Sequence, residues 1–154
     1  MLAHTFDSPA GRITAVESDG LLIHIAFDGI DGIPQGTSDL LEATERQICE
    51  YLSGERRTFD LPIGFNGTEF ATDVMEAMRR IPYGTVVTYS ELAEMSGHPG
   101  ANRAVGSACA RNPLPIIVPC HRVVPSGKGI GKYSGPPFMK NILLRIEGYL
   151  PEVP

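Results

Sequence analysis

Thr88-Tyr89-Ser90-Glu91-Leu92-Ala93-Glu94-Met95-Ser96-Gly97-His98-Pro99-Gly100-Ala101-Asn102-Arg103-Ala104-Val105-Gly106-Ser107-Ala108-Cys109-Ala110-Arg111 is the stretch whose reading decides the fold. Thr88 and Glu91 have the spacing of a capping box, so a short helix is expected to open there and to close at Gly97 and Pro99. Another runs from about Ala101 to Arg111, where Asn112-Pro113 breaks it. Two short helices joined through a glycine turn make a helix-turn-helix, with the later one as its reading element. Upstream, Phe70, Val74, Met78 and Ile81 form the apolar stripe of a preceding helix, ended by Pro82-Tyr83-Gly84.

The amino-terminal part has a different period. Ile13 to Val16 and Leu21 to Phe27 read as strands around Ser18-Asp19-Gly20, where Asp-Gly is a hairpin signal. Gly29 to Gly36 is a turn-rich connection. From Ser38, an expected N-cap, Leu41, Ile48, Tyr51 and Leu52 recur at helical spacing, with Gly54 as a C-terminal stop. Residues 1 to about 53 thus read as a small sheet with a helix against it. Glu55 to Asn66, with Leu61-Pro62 and Gly64, reads as the linker between lobes. The expected fold class is α/β. It comprises a sheet-and-helix lobe over 1–66 and a mainly helical lobe over 67–154 that carries the helix-turn-helix.

A chain of 154 residues suits one ordinary domain or two small lobes. Its 42% hydrophobic and 20% charged content is that of a soluble globular protein. No apolar run nears the ~20 residues of a membrane span, and no basic-then-apolar leader opens the chain, so an intracellular, cytoplasmic protein is expected. Cys49, Cys109 and Cys120 are odd in number and widely spaced, which fits a reducing compartment better than a disulfide framework. With no CxxC pair and with scattered His4, His24, His98 and His121, no structural zinc site is expected. The net charge of -5 hides an asymmetry: residues 1–69 carry 12 acidic and 4 basic side chains, residues 70–154 carry 6 and 9. Such a split hints at a polyanion-facing surface on the second half.

Downstream of the helix-turn-helix lies Pro113-Leu114-Pro115-Ile116-Ile117-Val118-Pro119-Cys120-His121-Arg122-Val123-Val124-Pro125. Its apolar run predicts a buried strand over Ile116 to Val118, with Pro119 fixing the backbone so that Cys120 sits where the strand ends. A cysteine beside an imidazole and a guanidinium has surroundings that favour thiolate. Lowering an ordinary thiol pKa of ~8.5 by two units, an effect of roughly 2.7 kcal/mol, would ionise most of it at neutral pH. Free cysteines are more often inert core residues, which is the reading kept for Cys49 and left open for Cys109. On extended backbone, neighbouring side chains point to opposite faces, so contact between Cys120 and His121 requires a turn or a bridging water.

Pro119-Cys120-His121-Arg122-Val123 resembles the active-site motif of the O6-alkylguanine-DNA alkyltransferases, the methylated-DNA–protein-cysteine methyltransferases. The resemblance spans about residues 68 to 148 in order. Ile81 to Tyr89 is similar to the family's entry into its helix-turn-helix, Asn102 to Gly106 to its recognition helix and Arg111-Asn112-Pro113 to its asparagine hinge. Gly131-Lys132-Tyr133-Ser134-Gly135 resembles its active-site loop, and Leu143 to Gly148 its closing helix. Ser8 to Gly11, Asp19 to Leu21 and Arg57 to Pro62 fit more loosely.

The resemblance implies a self-inactivating DNA repair transferase that flips O6-alkylguanine out of the duplex and moves the alkyl group onto Cys120. His121 acts through a water as the base, Glu147 orients it, and Asn112 braces the loop. Tyr133 donates to the departing guanine, Ser134 helps hold O6, and the Val123 carbonyl reads the exocyclic amine. Arg103 enters the vacated stack and Tyr89 pushes on a phosphate. The first lobe is implied to be ribonuclease-H-like, and the second to carry a winged-helix-like helix-turn-helix that docks in the minor groove. No cofactor, metal or membrane partner is implied. The partner is double-stranded DNA bearing the lesion, met by a monomer whose binding along DNA is open to cooperativity.

Three rival readings compete with this one. A non-enzymatic relative that flags damage carries tryptophan in place of the acceptor, and this chain has Cys120 and no tryptophan. A Cys-His-Glu hydrolase needs an oxyanion hole and has no use for Arg103. A plain transcriptional regulator using the same helices predicts sequence-specific binding and no covalent product. Gly127 to Lys132 mimics a phosphate cradle but lacks the Walker spacing, so its glycines are read as allowing a tight loop over the site.

Overall fold

The computed structural model of the chain describes residues 1–127, 129–131 and 133–149. Lys128 and Lys132, part of the glycine-rich loop singled out above, lie outside the described residues. The chain divides into two compact units, Met1–Phe65 and Asn66–Pro154. Among the described residues no helix is long and apolar enough to cross a membrane.

The first unit is a three-stranded antiparallel sheet in the order β1 (Leu2–Ser8), β2 (Gly11–Ser18), β3 (Leu21–Ala26). The expected hairpin joins β2 to β3. Asp19 (φ 54°) and Gly20 (φ 77°) both adopt the left-handed conformation of the turn whose twist suits paired strands. Strand β1 was not read from the sequence, because its buried positions, Ala3 and Phe6, do not alternate. A second tight turn pairs it with β2, Ser8 Oγ accepting from Ala10 N and donating to the Gly11 carbonyl. As the central strand, β2 buries four successive residues, Ile13 to Val16.

Helix α1 (Asp39–Leu52) packs across the sheet through Leu41, Ile48 and Tyr51. Ser38 caps it by accepting from Leu41 N at 3.1 Å, and Gly54 (φ 80°) follows its last turn. The stretch read as a linker is partly bound into the unit. Leu22 N donates to the Pro62 carbonyl and Gly64 N to the Leu22 carbonyl, both at 2.9 Å, so this backbone extends the β3 edge. Edge strands leave such donors and acceptors open, which is why a polar, proline-containing segment can add there without any strand pattern of its own.

The second unit is mainly helical: α2 (Glu69–Arg79), α3 (Tyr89–Met95), α4 (Asn102–Ala110) and α5 (Pro137–Ile146). The capping box of α3 is complete, with Glu91 N donating to Thr88 Oγ1 at 3.1 Å and Thr88 N to Glu91 Oε1 at 3.0 Å. Helices α2, α3 and α4 pack on one another through Val74, Met78, Leu92 and Val105, all buried, and α3–turn–α4 is the helix-turn-helix. Two short strands, β4 (Val87–Thr88) and β5 (Val123–Val124), pair in parallel. They fix the start of α3 beside the Cys120 segment.

The strand expected over Ile116 to Val118 is absent: residues 113–119 form turns instead. Pro113, Pro115 and Pro119 remove backbone donors on both sides of the run, and Val118 N turns back to donate to the Leu114 carbonyl at 2.8 Å. The Asn112 side chain closes the turn in place of a partner strand. Its Nδ2 donates to the Val118 carbonyl at 2.9 Å and its Oδ1 accepts from Leu114 N at 3.0 Å. At the apex Ile116 has φ 74°, a conformation that costs a β-branched residue about 1–3 kcal/mol. The apolar run is thus buried through a turn, with Leu114, Ile116 and Val118 each at most 1% exposed.

Candidate active site

Cys120 opens a single 3₁₀ turn, Cys120–Arg122, directly after Pro119. This turn supplies what extended backbone could not. His121 and Arg122 are carried round to the end of α5, where Glu147 closes the helix. His121 is fully buried and its Nε2 lies 2.7 Å from Glu147 Oε2. The same carboxylate accepts from Arg122 Nε at 2.9 Å, from Arg122 Nη2 at 3.0 Å and from Gly84 N at 2.9 Å. Glu147 is therefore a buried hub of four hydrogen bonds, and its side chain is 1% exposed.

Cys120 is 2% exposed, and its Sγ lies 3.8 Å from Ser134 Oγ. The expectation of a thiolate in the resting protein is overturned. Burial pushes the Cys120 thiol up, against the weaker opposing pull of Asn112, Ser134 and Lys140. The guanidinium expected to help it is turned onto Glu147 instead. Burial lowers the His121 pKa, an effect that outweighs its bond to Glu147, so the imidazole is neutral at pH 7. A neutral imidazole held by a carboxylate and a protonated thiol on the same turn are not the thiolate–imidazolium ion pair of a cysteine already activated.

Other expected site residues fall into two groups. Asn112, Cys120, His121, Ser134 and Glu147 come together around the 3₁₀ turn. Tyr89 and Arg103 line a neighbouring cavity of about 490 Å³ with Asn102, Gly106, Ser107 and Pro125. Cys120 is not among the residues lining that cavity. The Tyr133 hydroxyl is buried. The Val123 carbonyl accepts from Lys140 Nζ at 2.6 Å, so any ligand donor there shares it with the lysine. Gly131 (φ 79°) touches the Tyr89 side of the cavity, where an added Cβ would come within 2.6 Å of the Tyr89 hydroxyl.

Lys140 was missed from the sequence. It lies on the apolar face of α5 beside Met139, Leu143 and Leu144, is fully buried, and sits 5.9 Å from the centre of the Tyr89 ring. Burial lowers its pKa to about 8, with Cys120 and Cys109 pulling the other way. Its position on that stripe was the available signal, since a lysine at an apolar helical position is rarely free of a role. Cys109 is buried with Sγ 3.7 Å from Met78 Sδ, and burial raises its pKa to about 12, which makes it an inert core thiol. Arg122 was read as a partner for the cysteine and is found serving the carboxylate.

Residues 1–65 match the family described as 6-O-methylguanine DNA methyltransferase, ribonuclease-like domain, and residues 69–149 the companion DNA binding domain. The chain is 37% identical to the constitutive methylated-DNA–protein-cysteine methyltransferase of Bacillus subtilis, with 93% of each chain covered. It is 38% identical to the enzyme of the same name from Methanosarcina acetivorans, over 93% of this chain and 96% of the relative. Its structure matches that of Mycobacterium tuberculosis OGT in complex with DNA at a TM-score of 0.88 and 32% identity, over 96% of this chain and 93% of that one. On these matches and on the Cys120–His121–Glu147 constellation, the chain belongs to the 6-O-methylguanine DNA methyltransferase family.

Proposed function

We propose that this protein repairs O6-alkylguanine in duplex DNA by transferring the alkyl group to Cys120, once per molecule. The observation that carries the reading is the buried Cys120 followed on one 3₁₀ turn by a neutral His121 held to Glu147 at 2.7 Å. It lies on the same unit as the helix-turn-helix. A thiol that is 2% exposed cannot reach a base within a stack, so the nucleotide must be flipped toward it. Flipping costs a few kcal/mol, and a planar guanidinium in the vacated space offsets part of that. Arg103, exposed on α4 at the edge of the cavity, fills this role.

The chemistry balances within the site. The Cys120 proton passes through a water to His121, and Glu147 stabilises the imidazolium that results. The sulfur attacks the alkyl carbon; the S–C bond forms as the C–O6 bond breaks, and the electron pair leaves with guanine. Tyr133 donates a proton to the departing base, with Ser134 beside O6 and the Val123 carbonyl facing the exocyclic amine. The imidazolium then returns its proton to solvent and Tyr133 regains one from solvent, so the net exchange is one hydrogen for one alkyl group. A thioether offers no hydrolysis comparable to that of an acyl-cysteine, so the protein is spent after one event. No step calls for a cofactor.

Residues 1–66 act as the ribonuclease-like lobe and 67–154 as the DNA-binding lobe. Docking is in the minor groove by a monomer, and Tyr89 presses a phosphate. The small residues Ala104, Gly106, Ser107 and Ala108 let α4 approach the DNA backbone, and the groove's degenerate pattern suits lesions in any sequence. A cytoplasmic location with access to the nucleoid follows from that task. Intact-protein mass after mixing with duplex carrying one O6-methylguanine tests the reading. A gain of one methylene unit, saturating at one per chain, mapping to Cys120 and lost in Cys120→Ala, is expected. Tight lesion binding with no mass gain would sink it.

A further inference from the structure

We propose that Arg122 is a positioning residue that keeps Glu147 ionised and so fixes the His121 tautomer with its hydrogen on Nε2 and a lone pair on Nδ1. The inference rests on the alkyl-transfer reading for its consequence, but its structural part stands on geometry. Two ring nitrogens are available and only one can take the thiol proton. Nε2 lies 2.7 Å from Glu147 Oε2, which leaves Nδ1, itself buried, as the acceptor only if Nε2 already carries hydrogen. That contact has two readings. An ionised carboxylate accepts from Nε2–H; a protonated one donates to Nε2, and the hydrogen then sits on Nδ1, where the thiol proton must arrive.

The groups facing the pair decide between them. Glu147 meets Arg122 Nε and Nη2 and the Gly84 amide, three donors besides His121. Arg122 is itself 7% exposed, anchored by Nη1 to the Ile81 carbonyl at 2.6 Å and lying 5.7 Å from the centre of the Tyr83 ring. Lys140 on α5 adds a second cation whose charge bears on His121, and Cys120 adds a neutral thiol. In a dry site a histidine–carboxylate pair favours its neutral form, because separating charge there is costly. The guanidinium brings a positive charge and only donors to the carboxylate, and so fixes it as an acceptor. An arginine spent in this way speeds proton removal without touching substrate or thiol.

The test is ¹⁵N NMR of histidine-labelled, DNA-free protein, paired with the pH dependence of methyl transfer from O6-methylguanine duplex. Wild-type His121 is expected to show a pyrrole-like Nε2 and a pyridine-like Nδ1. Arg122→Gln, which removes the charge and keeps polar atoms, is expected to reverse the two and to move the acidic limb of the transfer profile up by about one pH unit or more. Arg122→Lys is expected to keep the tautomer and the limb while losing about tenfold in rate, because it holds the charge without the fork. A wild-type Nδ1–H tautomer overturns the proposal, and so does Arg122→Gln with unshifted limb and unreversed tautomer. Both readouts in wild-type protein are independent of whether a variant folds. Absence of transfer by wild-type protein would instead overturn the repair reading, with the tautomer still deciding the role of Arg122.

Discussion

His121 Nε2 and Glu147 Oε2 lie 2.7 Å apart with both side chains sealed from solvent, although 26 residues separate them in the chain. The bond joins the turn that carries Cys120 to the end of α5, so the packing of the two rests on this carboxylate. Replacing Glu147 by Gln removes the charge and leaves the Arg122 cation buried without its partner. Breaking one side of a buried pair costs about 3–5 kcal/mol. Transfer should slow by about 10²-fold, the lower range of what a positioned base contributes. Chemical denaturation and single-turnover mass kinetics on the same preparation check both, and unchanged stability would contradict the hub.

Transfer by wild-type protein should be flat through neutral pH and should fall only below pH 6.5. The base must be neutral, and burial holds the His121 pKa below its ordinary 6.5, so protonation begins late as pH falls. The sign for stability is the same. The unfolded chain takes up its histidine proton first, so stability is lost as pH drops through the unfolded value of about 6.5. Rapid-quench rates from pH 5 to 8 test this; a midpoint above 6.5 in rate would contradict a neutral buried base.

Asn112→Ala should destabilise the protein by about 3 kcal/mol. It strips a donor from the Val118 carbonyl and an acceptor from Leu114 N, two buried backbone groups at roughly 1–3 kcal/mol each. The turn also holds Ile116 at φ 74°, so it has strain to release once the brace is gone. Urea unfolding measures the loss, and a change under 1 kcal/mol would show that the turn closes without the side chain.

Arg103→Ala should leave the melting temperature within a degree or two, since the side chain is exposed on α4. Its effect should fall on duplex substrate, slowing transfer about tenfold or more at sub-saturating DNA, and less on a single strand where no stack needs filling. Equal losses on both substrates would remove it from the flipping step.

Wild type should gain stability relative to Lys140→Met as pH rises from about 7.5 to 9.5. The folded pKa of about 8 lies below the unfolded value of about 10.4, so the unfolded state binds more protons in this window. Wild type is relieved of a buried charge as pH rises, by about 3 kcal/mol in the limit, and the variant has no such term. Paired denaturation curves at four pH values test it; a difference independent of pH would mean that the lysine stays charged in the folded state, with no lowering of its pKa by burial.

Much of this was legible in the chain itself. The Asp19-Gly20 hairpin, the Ser38 and Thr88 caps, the helix stripe through Val74 and Met78 and the breaks at Gly97 and Asn112-Pro113 are local events, governed by backbone sterics and by neighbours a few residues away. The roles expected of Cys120 and His121 came from the resemblance of Pro119 to Val123 to a family motif, because adjacency on extended backbone turns the two side chains to opposite faces. What the sequence by itself could not supply was the path of Ile116 to Val118, where flanking prolines and an asparagine brace outweigh apolar content. Nor could it supply the charge state of Cys120, because desolvation depends on atoms brought from α5 and the 133–135 loop. The partner of Arg122 was likewise decided by the tertiary structure. A guanidinium takes the nearest carboxylate that packing places within reach, and Glu147 comes within reach only when α5 closes on the 3₁₀ turn.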